Sequence, residues 1–538
     1  MKKVLATLLA LTMLLGCVSF AAAEDTAQDV IELNVVVAAK VDHGDWNNFW
    51  ALDTIEKECG IRFKVTQYSE EAWKEKKGIL FATEELPDVF IGDTALTDED
   101  LANYGGQGYL LPLEEYLTPE KIPSVYAVME EIDNPELLKG MTFPDGHIYA
   151  FRGVNGKTRE YAMNRYFINT QWAETLGVKV PETIDEFYDY LVAVRDGDPN
   201  GNGDTTDEIP LSGLYDDYRD HFIPILTAFG FLDRRLQPDE NGQVQFVPVQ
   251  PNYKEFLKFM NKLYAEGLID PTYFTQTKEQ FNAKQAEGKI ASFTDYAQWQ
   301  FNNDPAFYLQ YETPDPYTSE FNSEKMWPAK DAIYYGSLVI TSNVTDQAVI
   351  DKLIAFADWC YSPKGTDLLW NGPALSVDEN KNIQYGYYFV PFSMDDPTYL
   401  VRKSLYPTES YDSNSKYLTD KVKPGNSYWP YASLASRESN SDPTSTSYNL
   451  SMNIETHQAP YYKVGIPATM KYTPEEADEI SLLATDLDSY IATMESKMIV
   501  GELDIDENFD AFVKGCEDRG LAQYLTLVQA AYDRFMGK

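Results

Sequence analysis

Oxygen-bearing side chains recur along one short stretch of the sequence, Asp196–Glu208 (DGDPNGNGDTTDE). Oxygen donors at every second residue of a tight loop can converge on one hard cation, which suits Ca²⁺. Gly203 falls where an EF-hand loop needs its sharp turn, but Ile209 occupies the position of the usual bidentate glutamate. The last two acidic residues of the stretch would then close the coordination shell. The candidate ligands are Asp198, Asn200, Asn202, Asp204, Asp207 and Glu208.

This pattern predicts a calcium ion with a structural role, because nothing in the sequence around it suggests a reacting group. The alternative interpretation is a Gly/Asn turn that binds no ion. The loop follows directly on a predicted helix over 183–195, which would hold one of its ends in place.

A second set of residues consists of aromatic and polar side chains near the predicted ends of strands. In open parallel sheets, ligands bind beyond the carboxyl ends of the strands. Rings placed there can stack on the apolar face of a sugar, while Asp and Arg side chains bind its hydroxyl groups. For each aromatic residue, packing in the core is the alternative. The candidate ligand-binding residues are Trp46, Trp50, Asp93, Tyr149, Arg152, Asp295, Trp299, Tyr335, Trp370 and Trp429.

Signals for catalysis are weak by comparison. The four histidines are not spaced as in an HExxH zinc motif, and the sequence has no GxSxG nucleophile elbow or phosphate-binding glycine loop. Pairs of carboxylates are expected by chance, because the chain has 85 acidic residues. A glycosidase with two distant carboxylates therefore stays open as an alternative.

The elements that would position these residues begin with a buried strand over 31–39 (IELNVVVAA), rich in β-branched residues. A helix over 49–60, a strand over 61–66, a helix over 73–83 and a strand over 88–91 follow. This alternation predicts a parallel sheet with crossover helices, and hence an α/β fold.

Further helices are predicted over 183–195, 253–266, 350–361, 473–501 and 521–536. Capping-box patterns mark two of their starts, Thr183 with Glu186 and Thr473 with Glu476. The segment 371–470 is rich in Tyr, Ser, Asn, Asp and Pro, which predicts long ordered surface loops.

The first 23 residues are typical of a secretory signal peptide: two lysines, an apolar run and small residues up to Ala23. Leu14–Cys17 (LLGC) also resembles a lipobox, in which Cys17 would become a lipidated N-terminus; both processing routes are open. With 44 basic and 85 acidic residues the net charge is −41, which argues against a nucleic-acid partner. The mature protein is expected outside the cytoplasm.

Several motifs in order resemble the extracellular solute-binding proteins of carbohydrate ABC importers, and in particular the alginate-oligosaccharide and putative aldouronate-binding lipoproteins. They are LPDVFIGD (86–93), GGQGYLLPLEEYL (105–117), INTQWAETLGVKVPETIDEFYDYL (168–191), FLKFMNKLYAEGLIDPTYF (256–274), EGKIASF (287–293) and the stretch 474–504. The resemblance implies a two-lobed type II binding-protein fold with a multi-segment hinge and a helical C-terminal region. It also implies a calcium loop at 198–208, with one extra residue between Gly203 and the Asp-Glu pair.

On this basis we expect one lobe from 24–155 with about 292–345, a second from 156–291 with about 346–470, and C-terminal helices over 471–538 that pack on the lobes. The implied function is capture of an oligosaccharide and its delivery to an ABC importer permease by a monomeric, non-enzymatic receptor. A membrane would be contacted only through the lipid anchor. A receptor for a peptide or another small polar solute is the main alternative, and a secreted glycan-degrading enzyme the second.

Overall fold

Two separate β-sheets, each covered by helices, organise the chain. A computed structural model describes residues 30–538 apart from 41–42, 93, 163–164, 216, 218–219, 299, 301, 303, 378–382, 392–399, 412, 424–427 and 435–444. The predicted signal peptide and Cys17 therefore lie outside the described residues.

The strands of the described chain are β1 (Ile31–Ala39), β2 (Ile61–Ser69), β3 (Val89–Ile91), β4 (Phe151–Gly156), β5 (Tyr166–Asn169), β6 (Ile209–Leu211), β7 (Leu236–Pro238), β8 (Val244–Phe246), β9 (Ile290–Thr294), β10 (Tyr311–Glu312), β11 (Trp327–Pro328), β12 (Ile333–Ile340), β13 (Ser376–Val377), β14 (Ile383–Gln384), β15 (Gly386–Pro391), β16 (Leu400–Leu405), β17 (Ala432–Leu434) and β18 (Tyr462–Lys463).

The α-helices of the same residues are α1 (Trp50–Cys59), α2 (Glu70–Thr83), α3 (Asp98–Gly106), α4 (Pro123–Glu131), α5 (Thr158–Tyr161), α6 (Thr170–Leu176), α7 (Ile184–Asp196), α8 (Phe222–Leu226), α9 (Pro251–Ala265), α10 (Lys278–Ala286), α11 (Pro305–Tyr308), α12 (Gln347–Tyr361), α13 (Pro363–Asn371), α14 (Asn414–Tyr417), α15 (Thr446–His457), α16 (Pro474–Ile499), α17 (Ile505–Glu517) and α18 (Leu521–Met536).

The first sheet has the strand order β17-β4-β12-β3-β1-β2. β1 pairs in parallel with β2 and β3, as the alternation of strands and helices predicts. β12 runs antiparallel to both β3 and β4, and β17 is parallel to β4. The carboxyl ends of β1, β3, β4 and β17 therefore share one edge of the sheet.

Helices cover both faces of this sheet. Alternate residues of β1 pack into the two apolar cores, one on each face. Val35 and Val37 pack with α12 residues such as Leu353 and with Trp429. Val36 packs on the other face with residues that include Trp73 of α2. A strand buried on both faces explains why 31–39 is almost continuously apolar.

The second sheet has the order β10-β5-β9-β6 and anchors the second lobe. One of its faces packs into a large core that also takes in Ile480 and Leu487 of α16, Phe512 of α17 and Val528 of α18. The predicted C-terminal helices therefore complete the core of the second lobe.

Two expected lobe assignments differ from the structure. The stretch 292–312 belongs to the second lobe, because β9 and β10 pair with β5 there. Helices α12 and α13 belong to the first lobe, where their apolar residues pack beneath its sheet, and β17 is a strand of that sheet. The sequence predicted the strands and helices, but their partners are set by contacts between distant parts of the chain.

The segment 371–470 contains more regular structure than the predicted loops. β15 and β16 form an antiparallel hairpin, and α15 is a helix of twelve residues. Cys59, Cys360 and Cys516 are free thiols. Within the described residues, no helix combines the length and the apolar character needed to cross a membrane.

Candidate functional site

The shared carboxyl edge of the first sheet carries a cluster of aromatic side chains. The hydroxyl of Tyr428 accepts the backbone N–H of Lys40 at 3.2 Å and lies 2.9 Å from Nδ1 of His43. The ring of Trp46 lies edge-on to Tyr428, with 5.2 Å between centroids, and 5.6 Å from the ring of Trp429. The cluster therefore combines residues that follow β1 with residues that precede β17, since β4 begins beside the end of β3, where Leu338 of β12 pairs with both Ile91 and Phe151.

Two glycines allow this close approach. A Cβ atom at Gly92, just after β3, would lie 2.7 Å from Cδ1 of Tyr428. Gly336 of β12 has φ +95°, and a Cβ there would lie 2.1 Å from the carbonyl oxygen of Trp429. The backbone N–H of Ser337 donates to the Tyr428 carbonyl at 3.0 Å, which holds the segment against the sheet.

Buried polar atoms at this edge lack hydrogen-bond partners among the residues described. They are Nε1 of Trp46, Nε1 of Trp429, Nε of Arg152 and Oγ of Ser337. Buried polar groups are nearly always paired, and leaving one unpaired costs about 1–3 kcal/mol. Of these four residues only Arg152 is partly exposed, with 16% of its side chain accessible.

In the second lobe, polar groups gather where β6 and β9 end. Nδ1 of the fully buried His221 lies 2.9 Å from Oγ1 of Thr294, and burial lowers the pKa of His221 to about 3, so the imidazole is neutral. The half-exposed ring of Tyr296 lies 4.7 Å from the guanidinium carbon of Arg165, which also donates to the Tyr296 carbonyl at 2.9 Å. An exposed ring held by a buried cation is a surface on which a flat apolar face can stack.

The connection between β4 and β5 passes from one sheet to the other and is fixed by an ion-pair cluster. The carboxylate of Glu160 accepts from Arg159 at 3.0 Å and from Arg165 at 2.9 Å. Arg159 also donates to the hydroxyl of Ser451 on α15 at 3.1 Å. Since α15 is far along the chain, the cluster ties several segments together at the crossing between the lobes.

Only some of the predicted ligand residues lie near the strand ends described above, which we call the cleft edge of each sheet. Arg152 lies there and donates to Asp98 at 3.1 Å, while Lys471 also pairs with Asp98. Burial acts to raise the pKa of Asp98, but the charges of Lys471 and Arg152 outweigh it and lower that pKa. Asp295 is buried directly after β9, at the corresponding edge of the second sheet.

Other predicted residues have different surroundings. Trp46 and Trp429 are fully buried, and neighbouring rings cover both, so the stacking role expected for them is replaced by core packing, with only the N–H groups unpaired. Tyr149 is also a core residue, whose hydroxyl donates to Asp145 at 2.7 Å. Trp50 is half-buried at the start of α1.

Trp370 lies apart from the Trp46 and Tyr428 cluster, in the wall of a cavity of about 830 Å³ that reaches the ends of β4 and β17. Its ring faces the ammonium of Lys157 at 4.6 Å. Asp93, Trp299 and the side chain of Tyr335 are outside the described residues.

The predicted calcium loop folds as a tight turn with its oxygens directed inward. The Asp198 carboxylate accepts the N–H groups of Asn202 at 3.2 Å and Gly203 at 2.9 Å. Asn202 also donates through its side chain to Asp207 at 3.1 Å. Asp204 instead accepts from the backbone and hydroxyl of Thr206, at 3.0 and 2.6 Å.

Glu208 is the residue of this loop that is left unsatisfied. Both of its carboxylate oxygens are buried without a well-formed hydrogen bond, and the backbone N–H groups of Glu208 and Asn200 lie near them. Burial, together with the negative charges of Asp207 and Asp198, raises the pKa of Glu208. A divalent cation would relieve all of these effects, so the loop fits a cation by chemistry. Among the described residues, however, no three Asp, Glu, His or Cys side chains are gathered at metal-binding distances.

Sequence reasoning missed Arg165 and gave Tyr428 no role of its own. Neither belongs to a spacing motif, and each owes its position to contacts with distant segments. A tyrosine beside a tryptophan in a loop, as in Tyr428-Trp429, was the only available signal.

The family profile of bacterial extracellular solute-binding proteins matches residues 44–367. The chain belongs to this family. The match confirms the predicted role as a solute-binding protein rather than an enzyme, and it agrees with the expected extracytoplasmic location.

Among curated relatives, the fructooligosaccharide ABC transporter substrate-binding protein FusA of Streptococcus pneumoniae is 29% identical over 507 residues, 91% of this chain and 88% of that one. The lipoprotein LipO of Bacillus subtilis is 26% identical over 301 residues, 55% of this chain and 56% of that one.

Solved structures confirm the predicted α/β fold. FusA in complex with kestose superposes with a TM-score of 0.67 at 24% identity, covering 94% of this chain and all of that chain (100%). A solute-binding protein from Bifidobacterium longum infantis, described as HMO binding and ABC-transporter associated, gives a TM-score of 0.74 at 20% identity, covering 94% of this chain and 99% of that one. FusA has also been described as an EF-hand mutant in complex with fructo-nystose.

Proposed function

We propose that this protein captures a neutral oligosaccharide between its lobes and delivers it to the permease of an ABC importer. A short fructo-oligosaccharide is the first candidate, because the FusA relative, which is described as binding one, aligns along 91% of the chain. The main observation in favour is the half-exposed ring of Tyr296, which the buried Arg165 holds where β9 of the second sheet ends.

Sugar hydroxyl groups would bond to the guanidinium of Arg152, whose side chain is 16% exposed. Tyr296, half-exposed beside Arg165, offers a ring for the apolar face of a sugar from the second lobe. A ligand that contacts both lobes favours the closed arrangement only by its additional contacts there. Closure would therefore accompany binding.

Isothermal titration of the mature protein with kestose, maltotriose and a tripeptide tests this function. We expect kestose to bind with micromolar or tighter affinity and small-angle scattering to show a smaller radius of gyration with it. Binding of the tripeptide alone would favour the peptide receptor, and turnover of the sugar would favour the glycan-degrading enzyme.

We also propose that the loop 198–208 binds one structural Ca²⁺ through Asp198, Asn200, Asn202, Asp204, Asp207 and Glu208. The buried carboxylate of Glu208, which lacks a well-formed hydrogen bond, supports this proposal. Calcium at 100 times its dissociation constant would stabilise the fold by about 2.7 kcal/mol.

Thermal melts in calcium and in chelator measure this effect. Asp198→Asn should remove the calcium-dependent rise in Tm. Asp239→Asn is the matched control, since Asp239 also accepts two backbone N–H groups in a turn, at 2.9 and 2.8 Å, but lies outside the loop. Equal melting temperatures with and without calcium would contradict the site.

The receptor would act as a monomer, held at the membrane through a lipid on Cys17. The LipO relative, described as a lipoprotein, supports the anchor. Mass spectrometry of the mature N-terminus distinguishes a lipidated Cys17 from cleavage after Ala23.

A further inference from the structure

A cavity of about 830 Å³ opens on the first lobe, and none of the residues that line it belongs to the sheet of the second lobe. It is bounded by α4, by α13 and by the hairpin of β15 and β16, with the ends of β4 and β17 as its floor. Its volume lies within the range of small-molecule sites, about 300–1,000 Å³. We call it the hairpin groove.

The hairpin turns a consistent face toward this groove. Tyr387 and Phe389 are alternate residues of β15, and Arg402 of β16 lies directly opposite Phe389. Alternate residues, and residues directly opposite each other in antiparallel strands, share one face of a sheet. The ring of Phe389 is 48% exposed, so its face is accessible to a ligand in the groove.

The facing wall is polar and well ordered by hydrogen bonds. Asp367 of α13 accepts from the Tyr387 hydroxyl and from the side chain of Asn371 at 2.5 Å. Burial and the neighbouring Asp367 carboxylate raise the pKa of Tyr387, so its phenol stays protonated and keeps donating. Trp370 lies one helical turn from Asp367 and adds a third ring to the groove.

The charges in the groove balance. Lys157 and Arg402 supply two positive charges, and Asp367 and Glu131 supply two negative ones. An ionic ligand would therefore meet repulsion as well as attraction. Rings interspersed with hydroxyl, amide and carboxylate groups, at zero net charge, suit a neutral polyhydroxylated ligand that offers both apolar faces and hydroxyl groups.

We propose that the hairpin groove is a second carbohydrate site, distinct from the cluster of Trp46 and Tyr428, that takes a short neutral saccharide. The saccharide would stack on Phe389 and Trp370 and exchange hydrogen bonds with Asp367 and Asn371. Such a site would hold a further segment of a longer chain, or a second sugar molecule, beside the receptor's main ligand.

Hydrogen exchange of the mature protein with millimolar kestose or maltotriose tests the site. Saccharide binding should slow exchange of the hairpin amides, 386–391 and 400–405. Phe389→Ala should raise the sugar concentration needed for half-maximal protection about tenfold, because stacking on one ring contributes up to about a factor of ten in affinity. Tyr388→Ala, on the other face of the same hairpin, is the matched control and should leave the protection unchanged.

Cleft binding is read from different amides, 43–46 and 428–429, none of which lines the groove. Protection there without protection of the hairpin overturns the groove site and leaves the proposed function standing. Protection of the hairpin alone supports the groove site and contradicts the proposed function. Equal loss of hairpin protection in the Phe389 and Tyr388 variants also overturns the groove site, since it would reflect an altered hairpin.

Discussion

The hydroxyl of Tyr428 lies 2.9 Å from Nδ1 of His43, although the two residues are 385 positions apart in the chain. The same hydroxyl accepts the N–H of Lys40 at the end of β1. Tyr428 thus links the loop after β1 to the segment before β17, at the edge where the ligand is proposed to bind.

Tyr428→Phe should remove both hydrogen bonds while keeping the ring. We expect a loss of about 1 kcal/mol in the free energy of unfolding, as for a typical hydrogen bond, together with a several-fold weaker affinity for sugar. Urea unfolding and titration calorimetry measure the two effects. Tyr126→Phe is the control, because its hydroxyl donates to the Leu117 carbonyl at 3.0 Å elsewhere in the lobe. An equal loss of affinity in the control would count against a role for Tyr428 at the site.

Gly336→Ala should destabilise the protein through two separate effects. The left-handed φ of +95° costs a residue with a side chain about 1–2 kcal/mol. The added methyl group would also collide with the Trp429 carbonyl, for a further ~1–3 kcal/mol.

Gly146→Ala separates these effects, because Gly146 has φ +90° but no heavy atom within 4 Å of the added Cβ. Denaturant unfolding of both variants gives the difference. If the two variants lose equal stability, the close approach of Trp429 to the sheet does not matter energetically.

Arg234→Gln should be severely destabilising, because Arg234 joins two buried carboxylates. It donates to Asp220 at 2.5 Å and to Glu495 at 2.8 Å, and the side chains of these two acids are 2% and 0% exposed. Removing one partner of a buried ion pair typically costs about 3–5 kcal/mol.

The next residue supplies the control for this change. Arg235 pairs with Asp488 at 2.6 Å, but Asp488 is 52% exposed, so Arg235→Gln should cost only about 0–1 kcal/mol. Thermal melts of the two variants compare them directly. A similar loss of stability in both would mean that the buried ion pairs of Arg234 contribute no more than the exposed pair of Arg235.

The stability of the protein should fall in acid partly through Glu160. Burial would raise the pKa of this carboxyl, but Arg165 and Arg159 outweigh burial and hold the pKa below the ordinary value of 4.5. A lowered pKa in the folded state gives stability that is complete above the unfolded pKa and is lost as the pH falls through the folded one.

Melting curves from pH 6 to pH 2.5 check this dependence. The native protein should exceed Glu160→Gln in stability near neutral pH, and the advantage should shrink below about pH 4.5. Glu240→Gln, at an exposed position in the turn after β7, should follow the native profile. A constant difference between native protein and Glu160→Gln at all pH values would refute the linkage.

Local patterns predicted local structure well. The apolar run 31–39 matches β1 at both ends, and Thr473 with Glu476 forms the predicted capping box at the start of α16. In both cases the determining contacts lie within a few residues. The lobe that receives β9 could not be predicted, because β9 pairs with β5, more than a hundred positions earlier, and nothing in either strand marks that partner.

The sequence indicated the residue types of the candidate site, but not which of those residues are buried. Trp46 and Trp429, both predicted near strand ends, do lie against each other, but their role in ligand binding stays a prediction. Composition could not tell a stacking ring from a buried one, since both are tryptophan beside polar residues. The difference arises from Tyr428, which covers Trp46 only because Gly92 lets it approach.

The large core of the second lobe has a consequence for the order in which the chain can fold. It joins residues from Tyr166 to Tyr532, and the sheet of the first lobe is closed by Ala432–Leu434. The first lobe cannot reach its final packing until Leu434 has emerged, and the second lobe must wait for Tyr532, so folding depends on late-arriving segments. A chain that stays unfolded until its last helices arrive remains threadable, which is the state that passage through a narrow export channel requires.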